Sequence, residues 1–232
     1  MGFTFLRALA VTGSFLYITN AVAQAGPWDG LNGRLREAVL EAKASGRSQI
    51  VLPAPQILPP FVDNLFTVRE QYTVIVGQPL QIVTSVAADG NVITTWYKLK
   101  VIEVVTKQPT VASETSLEQF GPPRALLPLG TDEVLVGVDG GSIISDGVTI
   151  LQHPPFEFRV QLNRRYVFTV YLEASGAIAS LAALNNGVFE LQADGSTIVP
   201  MGRKEYPLVK DIYVRTGNNL EFLRRALQEM RR

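Results

Sequence analysis

The 232-residue chain contains no cysteine. That excludes disulfides, a thiolate nucleophile and any cysteine-ligated metal, so stability must come from packing. An excess of charge is also missing, since 21 basic residues face 21 acidic ones. Concentrating nucleic acid or an anionic membrane takes clustered Lys and Arg, and no nucleic-acid partner is expected. Histidine is almost absent. With His153 alone in the chain, a histidine-rich metal site is excluded, and a Ser-His-Asp triad would have to pass through that residue.

Phosphate-cradling and nucleophile motifs are lacking as well: no Walker loop, no G-x-G-x-x-G and no G-x-S-x-G elbow. Gly140-Gly141-Ser142 comes nearest to an elbow but has no second flanking glycine. What the chain does have is apolar mass. Hydrophobic residues make up 47% and charged residues 18%, enough to hide roughly 70% of the unfolded surface in a folded core.

Residues 1–25 follow the pattern of a secretory signal peptide. Arg7 supplies a cation, Ala8 to Ala23 is largely apolar, and Ala21-Val22-Ala23 and Ala23-Gln24-Ala25 offer small-residue cleavage sites. Thr12, Gly13, Ser14, Thr19 and Asn20 interrupt the stretch, whereas a membrane anchor needs ~20 unbroken apolar residues. Export to the periplasm or exterior is expected, with no stable membrane span after cleavage.

Residues 26–62 read as a helix followed by a proline-rich spacer. Leu31, Leu35, Val39 and Ala42 recur at helical spacing, Asp29 or Asn32 can cap the start, and Ser45-Gly46 ends it. Ser48 to Leu52 is a short strand candidate before Pro53, Pro55, Pro59 and Pro60.

From residue 63 to 200 the pattern turns to short β-rich runs. Thr67 to Val76 is one, ended by Gly77-Gln78-Pro79; Leu80 to Ala87 is another. Ala88-Asp89-Gly90-Asn91 signals a hairpin leading into Val92 to Val105. Residues 107–130 are polar and proline-rich, a long loop where recognition is expected. Further runs are Glu133 to Val138, Gly147 to Leu151, Phe156 to Leu162, Tyr166 to Leu172 and Val188 to Gln192, the last bracketed by Asn186-Gly187 and Asp194-Gly195. Tyr166 to Leu172 is nearly all apolar, as in a strand buried on both faces. The spacing predicts a mainly β fold, an OB-like closed barrel or sandwich with flanking N-terminal and C-terminal helices.

Residues 201–232 form a helical tail, with Asn218 and Glu221 as a capping box. Leu220, Leu223, Leu227 and Met230 form its stripe, and Arg224, Arg225, Arg231 and Arg232 complement the helix dipole.

Two groups of residues are weighed for chemistry. Asp132, Glu133, Asp139 and Asp146 lie close in sequence to His153, and a carboxylate-dependent hydrolase would need them to converge near 132–153. Against that, Asp89, Asp139, Asp146 and Asp194 each precede a glycine, the signature of turns. Among the aromatics, Trp96, Tyr97, Phe158, Tyr166, Phe168 and Tyr171 fit core packing better than a stacking platform. No catalytic, cofactor-binding or metal-binding residue is assigned.

The run Thr95 to Val105, then Gly140-Gly141, Phe158-Arg159-Val160, Tyr166 to Leu172, and Gly187 to Leu191 before Asp194-Gly195 resembles a loose group of bacterial exported proteins with no known activity. The layout is more distantly similar to netrin-like and metalloproteinase-inhibitor OB barrels. The resemblance covers about residues 68 to 227 and implies a fold and an export route. Asn163-Arg164-Arg165 replaces the usual glycine before the Tyr-Val strand, and the netrin cysteines are missing. The resemblance carries no functional residue over. The expected function is an exported, non-catalytic binding or interaction module for a protein or small molecule; the alternatives are the hydrolase above and a component of an envelope assembly.

Overall fold

In the computed structural model, described residues are 31, 33–54, 62–87, 90–106, 122–154, 160–172 and 178–229. The signal-peptide stretch, most of the proline-rich spacer, residues 107–121 of the long loop, and Phe156 and Phe158 lie outside them. No helix among the described residues is long and apolar enough to cross a membrane.

The fold is mainly β with flanking helices. A small unit opens it. Helix α1 (Gly33–Ala44) buries Leu35, Val39 and Ala42, with Leu31 ahead of it, against Ile143, Val148 and Ile150. These last residues belong to hairpin β5 (Gly141–Ser145) and β6 (Val148–Gln152), and β1 (Gln49–Leu52) adds to β6 in parallel. The stripe read from helical spacing is therefore the buried one.

The main sheet has seven strands in the order β10-β9-β7-β2-β3-β4-β8. Its members are β2 (Thr73–Val86), β3 (Ile93–Thr106), β4 (Glu133–Asp139), β7 (Arg165–Leu172), β8 (Ile178–Leu181), β9 (Val188–Leu191) and β10 (Ile198–Pro200). β8 pairs in parallel with β4 and antiparallel with β7, so hydrogen-bonded neighbours run from β7 through β2, β3, β4 and β8 back to β7.

Alternation along the strands serves cores on both faces of the sheet. Ile75, Tyr97, Leu99, Val136, Phe168 and Val170 pack together on one face. On the other, Val74, Val76, Val167 and Phe189 meet three helices: α2 (Leu65–Gln71), α3 (Pro207–Thr216) and α4 (Leu220–Glu229). Tyr166 to Val170 are all buried, as a strand covered on both faces requires.

Four readings need correction. Thr67 to Gln71 is helix, not strand: Asn64 Oδ1 accepts from Thr67 N at 2.9 Å, and Leu65 and Val68 turn into the core. A side-chain cap and two buried contacts override the β preference of Thr67 and Val68.

Gly77-Gln78-Pro79 does not end a strand; β2 runs through it as one 14-residue element with register shifts on either side. A Cβ on Gly77 would lie 3.2 Å from the Phe168 ring, so the glycine makes room for a core aromatic. Pro79 lies beyond Gly77, the last residue paired to β7, where its missing donor breaks no ladder on that side.

The N-cap of the C-terminal helix is Asn219, whose Oδ1 accepts from Glu221 N at 2.9 Å and Phe222 N at 3.2 Å. Asn218 instead holds a left-handed φ of 59°. Farther along, Val160 is buried, Leu162 is 38% exposed and residues 160–162 form no strand, so the strand expected over Phe156 to Leu162 does not extend through them.

Candidate functional site

The acidic residues nominated for hydrolysis do not assemble. Asp132 pairs with Lys100 at 3.8 Å. Glu133 pairs with Lys98 at 2.8 Å and accepts from Gly130 N at 2.7 Å, and these bonds hold its carboxyl below the usual carboxylate range. Asp146, at the tip of the β5–β6 hairpin, pairs with Lys43 of α1. Asp139 ends β4 and accepts from Thr94 Oγ1 at 3.4 Å.

His153 follows β6, is exposed, and donates its peptide N–H to Leu52 O at 3.1 Å. The hairpin register sets Gly141 opposite Gln152 at the base and Ser145 opposite Val148 near the tip. Asp139 and His153 flank the base while Asp146 sits beyond the tip. Five residues at about 3.3 Å each separate the ends by roughly 16 Å. No group of three or more His, Asp or Glu among the described residues is arranged to hold a metal.

The arginines of α4 are also in use. Arg224 makes a bidentate pair with Glu103 of β3, at 2.7 and 2.6 Å, and reaches Glu221 at 3.0 Å. Arg225 pairs with Glu221 and stacks over Phe222. Arg224 is thus a strut from helix to sheet. Of the long loop, Leu126 anchors the described part: it is fully buried against Trp96, Val83, Leu135 and Ile178, while most of residues 122–130 are exposed.

That contact lies beside a polar row that spans three strands. The pairings Ser85↔Thr94 and Thr94↔Asp139 form one row across β2, β3 and β4; Val83↔Trp96 and Trp96↔Gly137 form the next. Directly opposed residues share a face. This face is turned away from Tyr97 and Val136, which alternate with the two rows and pack in the core with Phe168. Two polar atoms here are buried without a hydrogen-bond partner among the described residues: Ser85 Oγ and Trp96 Nε1.

Gly137 explains how the indole fits. Trp96 Cζ3, Cη2 and Cε3 lie 3.1, 3.3 and 3.4 Å from where its Cβ would be. The benzo edge therefore covers β4, and the N–H lies on the opposite edge of the ring. Trp96 is 4% exposed and Thr94 6%. The row was invisible in sequence because Ser85, Thr94 and Asp139 lie on three separate strands.

Next to Thr94 in sequence, Thr95 Oγ1 donates to Gly140 O at 2.7 Å and lies 3.1 Å from Thr84 Oγ1. Gln152 Oε1 accepts from Ile93 N at 2.8 Å. These bonds dock the β5–β6 hairpin on the end of the main sheet.

No family model, curated protein or solved structure matches the chain.

Proposed function

We propose that the chain is an exported, non-catalytic binding module built on an OB-like closed barrel. One observation carries the non-catalytic reading: Asp132, Glu133 and Asp146 each serve a separate ion pair, Asp139 accepts from Thr94, and Asp146 lies at the opposite end of the β5–β6 hairpin from Asp139 and His153. General acid–base work needs titratable groups converging on one reacting atom.

Closure is supported by β8, which joins β4 and β7 and so returns the strand path to its start. A ring leaves no long free edge and presents loops and outer faces for recognition. Export is supported by the cationic and apolar leader with its small-residue sites.

The test is a turnover screen of the mature chain with chromogenic esters, glycosides and phosphate esters, beside D139N and H153A. We expect no turnover above buffer. Turnover abolished by both substitutions would establish the hydrolase instead.

A further inference from the structure

Helices α2, α3 and α4 cover one face of the main sheet, and each buries a stripe against it. Their opposite stripes form the outer surface of that layer, where a helix ordinarily shows polar side chains. Here Phe66 of α2, Tyr213 and Val214 of α3, and Phe222 of α4 are each more than half exposed. Asp211 joins two of the helices: its Oδ2 accepts from Leu65 N at 2.9 Å, and its Oδ1 accepts from Arg215 Nε at 2.7 Å. Phe66 follows Leu65, and Val214 stands three residues from Asp211 on the helix surface, so both flank that junction. We propose that this face seats the protein on an anionic phospholipid bilayer, with the helices lying among the headgroups.

The distribution of charge selects the occupant. Residues 203–232 hold eight basic and four acidic side chains, whereas the rest of the chain holds thirteen basic and seventeen acidic ones. A chain with no net charge therefore carries its positive excess on the segment that forms α3 and α4. The pairs Arg215–Asp211 and Arg225–Glu221 use acids already counted, and Glu103, which pairs with Arg224, lowers the excess by only one.

Cations also sit beside the apolar groups. The Arg225 guanidinium lies 5.9 Å from the centre of the Phe222 ring, and that of Arg69 lies 5.3 Å from Phe66. Lys210 is exposed four residues before Val214, on the same side of α3. A phenyl or valine entering the acyl boundary then has a cation at the level of the phosphates. A protein partner fits less well, because charged side chains are depleted where such an interface is driest. Helices α3 and α4 have ten residues each, too few to cross a bilayer, so the contact is peripheral. This proposal goes beyond the binding-module reading and stands without it.

The test is co-sedimentation of the mature chain, free of the apolar leader, with vesicles of phosphatidylcholine alone or mixed with phosphatidylglycerol. The expected result is saturable binding to the mixed vesicles and roughly tenfold or weaker binding to phosphatidylcholine alone. Most of the binding should be lost as salt rises from about 0.1 to about 1 M, where the Debye length falls from about 10 to about 3 Å. The double variants V214S/F222S and K210Q/R225Q should each bind roughly tenfold more weakly. Both should keep the near-ultraviolet dichroism of the wild type, since all four side chains are exposed.

Three results overturn the proposal: no binding to the mixed vesicles, equal binding to both vesicle types, or unchanged binding by either double variant. Self-association that V214S/F222S abolishes, without vesicle binding, would make the face a contact between copies and also overturns it. None of these outcomes bears on turnover, which the substrate screen tests separately.

Discussion

Gly141 holds a φ of 135°, and a Cβ there would lie 2.5 Å from Thr95 Oγ1 and 2.7 Å from Thr84 Cγ2. Backbone strain and overpacking then act together, each costing about 1–3 kcal/mol. We expect Gly141→Ala to lower stability by about 3 kcal/mol in urea unfolding, whereas Gly147→Ala, with open space around its Cβ, meets only the φ penalty and loses less. At the next hairpin, Asp194 accepts from Thr197 Oγ1 and from the Thr197 and Ser196 amides, which lower its pKa from 3.8 to about 2. A depressed acid stabilises fully above its unfolded pKa and ceases to do so as pH falls through the folded one. The window is therefore about pH 4 down to about pH 2. Urea titrations across it should show a shallower acid slope for Asp194→Asn than for the wild type, the remainder including Glu133, whose shift has the same sign.

At the scale of elements, the C-terminal helix separates two readings of one dipeptide. Asn219 caps α4, while Asn218 sits in the left-handed region one residue earlier. Asn219→Ala should cost about 1 kcal/mol, the usual loss of a side-chain cap. Asn218→Gly should be neutral or slightly stabilising, because glycine adopts that φ freely. Equal losses at both positions in chemical denaturation would reject the assignment. The same pair shows where local reading reaches its limit. Two adjacent asparagines satisfy the same composition rule, and only the chain path after Gly217 decides which one faces the helix. Long, strongly patterned elements were legible: α1 through Leu35, Val39 and Ala42, and β7 through its unbroken apolar run. β5 and β8 were not. The Gly140-Gly141 signal marked a turn but concealed the strand that begins at its second glycine, and the short β8 gains its place from two neighbouring strands rather than from its own residues. Residues 65–71 resemble a strand until Asn64 caps them. The polar row was out of reach for a similar reason, since cross-strand register does not exist before the strands pair.

For the whole molecule, burial follows from arrangement in layers. One cluster lies on the face of the main sheet that includes Tyr97 and Phe168, a second lies between the sheet and helices α2, α3 and α4, and a third is sealed by α1 over the small sheet. Cysteine-free stability is consistent with this, because each layer buries apolar surface on both sides of a strand. The proposed barrel depends most on β8 joining the two ends of the strand path. Cross-strand nuclear Overhauser effects test this directly, between Val136 and Ala179 on one side and between Ser180 and Tyr171 on the other. Closure predicts both contacts in the same folded state, with slowly exchanging amides along β8. Contacts to β4 alone or to β7 alone, with fast exchange on the other edge, would make the sheet open and contradict the proposed barrel.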